Sequence, residues 1–118
     1  VHSGWKGTRL EIARNTLRLM RLEFGSKPEE ITAYMLPSIG PESYRINSDV
    51  YDLFSRGRIE KEGNRYLDLW ENVTLSLMDE GMREENILNY RICTLKEQAD
   101  FFSHRGGDAG RNLNFGFM

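Results

Sequence analysis

The side chains able to do chemistry are few, and most lie at the two ends of the chain. His2 stands in Val-His-Ser-Gly-Trp-Lys-Gly-Thr, with Lys6 close behind it. His104, Arg105 and Arg111 flank or follow Gly-Gly-Asp-Ala-Gly near the other end, and Cys93 is the single cysteine. Two histidines and one cysteine are the whole supply of nitrogen and sulfur ligands. They are spread too far apart in sequence to suggest a metal centre closed by this chain alone, which takes about three or four ligands. A Cys93–His104 pair is one route to nucleophilic catalysis. Cys93 ends an apolar run, however, where a thiol behaves as a small hydrophobe, and that structural reading is preferred. The stretch 106–110 reads either as an anion-binding nest with Arg105 and Arg111 beside it or as a hairpin turn with solvated arginines. Turn chemistry alone accounts for its glycines. Residues 2–8 read either as a helix start offering N–H groups to a phosphate, with Lys6 as the nearby cation, or as a turn whose glycines let Trp5 pack into the core.

The elements that must position these groups follow from periodicity. Leu10, Ala13, Leu17, Met20 and Phe24 recur at spacings of three and four, which predicts an amphipathic helix from about Thr8 to Phe24, with Thr8 as cap and Gly25 as stop. Ile31–Leu36 reads as a buried strand closed by Pro37, and residues 37–46 as a loop. Asn47 or Ser48 caps a short helix carrying Val50, Leu53 and Phe54. The charged stretch 55–64 reads as an exposed connection. Residues 65–69 form a short strand, and Asp68 caps a helix bearing Leu69, Val73, Leu77 and Met78 that stops at Gly81. Residues 86–93 read as a strand, 94–101 as one or two helical turns, and 101–118 as a hairpin about the glycine-rich turn. The expected class is α+β with a mixed β-sheet and packed helices, in one domain spanning 1–118.

Composition sets outer limits. With 39% hydrophobic and 29% charged residues the chain has an ordinary globular balance. A net charge of -2 argues against a general nucleic-acid binder. No apolar run reaches membrane-spanning length and no signal peptide is recognisable, so no membrane partner is expected. A single cysteine permits no internal disulfide and fits a cytoplasmic setting. Asn72-Val73-Thr74 matches a glycosylation acceptor but lies inside a helical pattern, and is read as coincidence.

The order of the motifs goes further than their chemistry. Val-His-Ser-Gly-Trp-Lys-Gly-Thr resembles the H-A-G-W-R-G-T signature of the YfiH family, also called the multicopper polyphenol oxidase or laccase-domain family and, more recently, purine nucleoside phosphorylase. Leu-Pro-Ser-Ile-Gly-Pro-Glu-Ser-Tyr-Arg-Ile resembles its G-P-S-I-G-P-x-x-Y-x-V. Arg-Tyr-Leu-Asp-Leu-Trp-Glu-Asn-Val resembles its Y-x-L-D-L-W-x-A-N. Ile-Cys-Thr, followed by Phe-Phe-Ser-His-Arg-Gly-Gly-Asp-Ala-Gly-Arg, resembles its closing motifs. These motifs stand in the family's order and cover nearly the whole chain. Some positions depart from the pattern. Leu36 replaces a glycine, and Lys6 replaces an arginine and so loses the bidentate fork. Val73 stands where the family has asparagine, with Asn72 one place early. Cys93 matches a family position other than the metal-binding cysteine.

The resemblance implies a partial CNF/YfiH-like fold lacking its N-terminal half, with 1–118 as the C-terminal part of a single domain. It implies that His2 is one ligand of a zinc site, with copper as the other metal considered. The partner histidine and cysteine of that site would precede Val1. The implied activity of the parent protein is phosphorolysis of purine nucleosides (adenosine, inosine and methylthioadenosine), with adenosine deamination beside it. The chain alone is expected to be inactive, and to self-associate through the surface the missing half would cover. Lys6, Arg105 and Arg111 are the candidate substrate- and phosphate-binding residues. Competing expectations are a Cys-His hydrolase or amidase, a copper-dependent polyphenol oxidase, and a non-catalytic truncated fragment or interaction module. The oxidase would need many more histidines than this chain offers.

Overall fold

In the computed structural model the described residues are 1–114. The first helical segment is divided. Helix α1 spans Trp5–Arg9 and α2 spans Ile12–Phe24, separated by Glu11 in the left-handed region at φ 55. Asn15 stabilises the bend by donating its side-chain Nδ2 to the Leu10 carbonyl at 3.1 Å and its backbone N–H to Glu11 O at 2.9 Å. The single helix expected from Thr8 is corrected accordingly. Ala13, Leu17 and Met20 do form the inward stripe, with Leu17 buried. Leu10 and Phe24 do not, being 71% and 80% exposed, because Leu10 lies in the bend and Phe24 in the final turn. Gly25 ends α2 as expected, at φ 65, with Ser26 N–H bonded back to Met20 O.

Strand β1 (Ala33–Met35) runs parallel to the distant β5 (Ile87–Asn89), and a bridge between Ser38 and Cys93 continues the pairing. A separate antiparallel sheet has the order β2 (Arg45–Ile46), β4 (Asn64–Leu67), β3 (Arg58–Lys61). The class is α+β as expected, with its parallel and antiparallel pairings in two separate sheets. Strand β3 falls inside the stretch expected to be a connection. All its residues are exposed, so no apolar alternation announced it. Glu62 and Gly63, both at positive φ, make the two-residue turn into β4.

Caps were legible. Asn47 accepts from Val50 N–H at 3.0 Å to start α3 (Ser48–Tyr51), and Asp68 accepts from Glu71 N–H at 2.9 Å to start α4 (Leu69–Asp79). Leu69 belongs to a core with Tyr44, Phe54 and Leu67, while Leu77 belongs to a second core with Leu17 and Met82. Helix α4 thus ties the antiparallel sheet to α2. Residues 94–100 are turns, and no hairpin forms from 101 through 114; the remainder of that expected hairpin, 115–118, lies outside the described residues. Instead the Asn112 side chain acts as a strand partner would. Its Oδ1 accepts from Phe102 N–H at 3.0 Å, and its Nδ2 donates to Phe102 O at 2.9 Å. No helix among the described residues is long and apolar enough to cross a membrane.

Helices α2 and α4 are also clamped by charge. Glu80, with a side chain only 8% exposed, receives Arg14 Nε at 2.8 Å and Arg18 Nε at 3.1 Å, with Arg21 Nη2 at 3.6 Å. The hydrogen bond from Arg14 holds the Glu80 carboxyl below its ordinary value, against the opposing effect of burial. A depressed carboxylate pKa contributes stability that is complete above the unfolded-chain value and lost as pH falls through the folded one. Glu80→Gln should therefore lower the melting temperature at neutral pH. The gap from the wild-type chain should close on acidification, as measured by thermal melts across pH.

Candidate functional site

A cleft of about 610 Å³ gathers His2, His104, Arg105 and Arg111 from opposite ends of the sequence. Trp5, Tyr44, Phe102 and Asn112 are among its other lining residues. His2 lies just before α1 and folds back, so that a Cβ on Gly4 would stand 3.4 Å from its Nε2. Thr8, buried in α1, fixes this approach by pairing its hydroxyl with that of Ser3 at 2.8 Å.

The other wall is the loop after Phe102. Asp108 organises it: one carboxylate oxygen accepts from Ser103 N–H and from Gln98 Nε2, both at 2.9 Å. The Gln98 hydrogen bond, followed by that from Ser103, holds Asp108 below the usual carboxylate value. The amides of the glycine-rich turn point inward. Gly106 N–H donates to Ser103 Oγ, Gly107 N–H to His104 O, and Asp108 N–H to Ser103 O. These three N–H groups are committed within the loop, which favours the turn reading of residues 106–110 over the anion nest. Arg111 spends Nη1 on the carbonyls of Ala109 and Gly110 at 3.0 and 2.8 Å. Arg105 donates Nη1 to Arg45 O at 2.6 Å and lays its guanidinium over Tyr44, 4.8 Å from the ring centre. Burial pushes the Tyr44 phenol up, with Arg105 opposing. Both arginines are thus held at the cleft by their own neighbours. Lys6 is not among the cleft-lining residues; its ammonium sits 5.6 Å over the Trp5 ring.

Cys93 lies elsewhere. It is buried in a separate cavity of about 170 Å³ with Ser43, Trp70 and Lys96, so the Cys93–His104 pair is not formed. Its sulfur accepts from Gly40 N–H at 3.2 Å. Burial works to raise this thiol, but hydrogen bonds from Ser43 and from the backbone N–H groups of Gly40, Lys96 and Leu95 together outweigh it, and the group sits below the ordinary thiol value. Gly40 is needed for the approach, since a Cβ there would be 2.9 Å from the Trp70 ring and 3.3 Å from Cys93 Cβ. Cys93→Ala should keep the fold and cost on the order of 1 kcal/mol through lost packing. Turnover of a full-length enzyme carrying the change should survive, as checked by comparing kcat with a chemical melt.

A metal does not fit the donors present. Among the described residues no group of three or more His, Cys, Asp and Glu side chains is placed to hold one. His2 and His104 line one cleft but bring no third donor into it.

Nothing in the spacing marks Tyr44, Phe102 and Asn112 as parts of the cleft. Tyr44 and Phe102 lie within the family motifs, whereas Asn112 falls in a stretch whose sequence reads as a strand.

The chain matches, over residues 1–118, the family described as multi-copper polyphenol oxidoreductase laccase. The chain belongs to this family. Among relatives of this laccase-like family, a protein named purine nucleoside phosphorylase from Bacteroides thetaiotaomicron is 34% identical over 97% of this chain and 46% of its own length. Purine nucleoside phosphorylase YlmD of Bacillus subtilis is 33% identical over 98% of this chain and 45% of its own. The crystal structure of a hypothetical protein YfiH from Bacillus licheniformis superposes with a TM-score of 0.82 at 32% identity, covering 90% of this chain and 43% of that one. The chain therefore spans just under half the length of these laccase-family relatives.

Proposed function

We propose that the chain is the C-terminal half of a cytoplasmic purine nucleoside phosphorylase acting on adenosine, inosine and methylthioadenosine, with adenosine deamination as a side activity. The observation that carries this reading is the meeting of His2, Arg105 and Arg111 along one cleft, joined to the names of the relatives. In phosphorolysis a phosphate oxygen bonds to ribose C1′ as the C1′–N9 bond breaks. The purine leaves with the bonding pair and takes up a proton, and ribose 1-phosphate remains. Positive charge develops at the sugar while the anion must be held against it, so fixed guanidinium groups contribute by orienting the phosphate. Arg105 and Arg111 are suited to that role because neighbouring carbonyls already hold them in place. Lys6 would add positive charge at longer range. The family's zinc, or copper, would need ligands from outside these residues, with His2 as this chain's contribution. The experiment is an assay of adenosine with and without phosphate, on a protein in which the remaining length is supplied. Free adenine and ribose 1-phosphate that appear only with phosphate support the reading. Adenine released equally without phosphate, or inosine as the sole product, contradicts it.

A further inference from the structure

A second polar cavity, of about 360 Å³, lies on another part of the molecule. The bend between α1 and α2 supplies Arg9, Leu10 and Glu11, the segment after α3 supplies Leu53, and α4 supplies Asn72 and Ser76. The last two are four residues apart and so share a helix face. Ser76 is 8% exposed, and its hydroxyl is buried with no hydrogen-bond partner among the described residues. Buried hydroxyls rarely go unmatched. Asn72 spends its Nδ2 hydrogens on Arg56 O at 2.9 Å and Asp68 O at 2.8 Å, and no hydrogen bond among the described residues reaches its Oδ1. Arg9 enters no ion pair or hydrogen bond through its side chain among the described residues, while Glu11 is held by Arg14 at 3.5 Å. Leu10 and Leu53 are 71% and 45% exposed and give the cavity an apolar wall.

We propose that this cavity is a binding site for a small hydroxycarboxylate. The carboxylate would pair with Arg9, and the hydroxyl would donate to Asn72 Oδ1 while accepting from Ser76. The short carbon body would rest against Leu10 and Leu53. Of the other charged groups that line the cavity, Glu11 is paired with Arg14 and Arg56 with Asp79, which leaves Arg9 as the one cation for a singly charged acid. Ser76 Oγ is covered in the unliganded chain. In the proposed complex it would reach the ligand by turning about χ1 to another staggered position, with the hydrogen bond gained there offsetting the turn.

The test is an NMR titration of the protein, with its remaining length supplied, with L-lactate and, as a match lacking only the hydroxyl, propionate. Lactate is expected to produce saturable shifts at the Arg9, Asn72 and Ser76 amides and to bind about tenfold more tightly than propionate. Ser76→Ala should fold, and should melt higher without ligand because an unmatched hydroxyl is gone. It should also shrink the lactate–propionate difference. Arg9→Gln, at an exposed position, should weaken both acids alike. The proposal is overturned if the lactate shifts do not saturate, or if the two acids bind equally. It is also overturned if Ser76→Ala leaves lactate binding unchanged, which would mean that water alone serves the hydroxyl.

Discussion

Gly57→Ala is expected to destabilise the chain by roughly 2–5 kcal/mol, the combined scale of a left-handed alanine and an overpacked contact. Gly57 has φ 69, and a Cβ there would stand 2.4 Å from Asn72 Nδ2 and 2.6 Å from the Asp68 carbonyl. The carbonyl belongs to the residue that caps α4 and cannot move aside cheaply. Gly57 O also accepts from Asp68 N–H at 2.8 Å, so the same backbone contact fixes the strand–helix junction. Gly63→Ala is the built-in control. Its φ is 76, and nothing lies within 4 Å of the added carbon. It should therefore show only the backbone penalty, about 1–2 kcal/mol. Urea melts of both variants check this, and equal midpoints would remove the steric argument.

The largest effect on activity is expected at His2. With the remaining length supplied, His2→Ala should abolish stoichiometric metal. It should reduce phosphorolysis by more than the roughly 10–100-fold seen when only an outer partner of a ligand is lost. His104→Ala should retain the metal although His104 lines the same cleft. The isolated chain should bind zinc or copper weakly and turn over no nucleoside, because one imidazole leaves the ion mostly hydrated and nothing preorganises its other sites. Metal content measured beside adenosine phosphorolysis for these proteins decides the matter. Stoichiometric zinc on the isolated chain, or full activity after His2→Ala, would remove His2 from its assigned role.

Local signals were readable where one residue carries a whole decision. Asn47, Asp68 and Gly25 mark helix ends through a side-chain acceptor or a left-handed backbone, and each does so here. What resisted reading depends on partners remote in sequence. Strand β3 has no buried face, so its charged residues looked like a loop until β4 paired with it. The bend at Glu11 leaves the apolar period unbroken on paper, because Leu10 occupies a stripe position while facing solvent. The closing stretch offered glycines that suit a hairpin, yet the Asn112 carboxamide and the Asp108 carboxylate take up the backbone groups that a second strand would have met. For the cleft, the family resemblance pointed to His2 and the charges beside the glycine-rich turn pointed to Arg105 and Arg111, while spacing alone could not bring together groups from opposite ends of the chain.

The pairing of β1 with β5 has a consequence for biosynthesis. Ala33 meets Ile87 and Met35 meets Asn89, so β1 leaves the ribosome long before its partner has been made. The β3–β4 hairpin, closed by Glu62 and Gly63, needs no such wait. Tyr34, exposed on β1 even in the finished chain, and Leu36 just beyond it would face solvent throughout that interval. Parallel pairing across so long a loop is slow to form. The nascent chain therefore passes through a stage with a bare strand edge and apolar side chains beside it, a form that chaperones hold and that neighbouring chains on a polysome can capture.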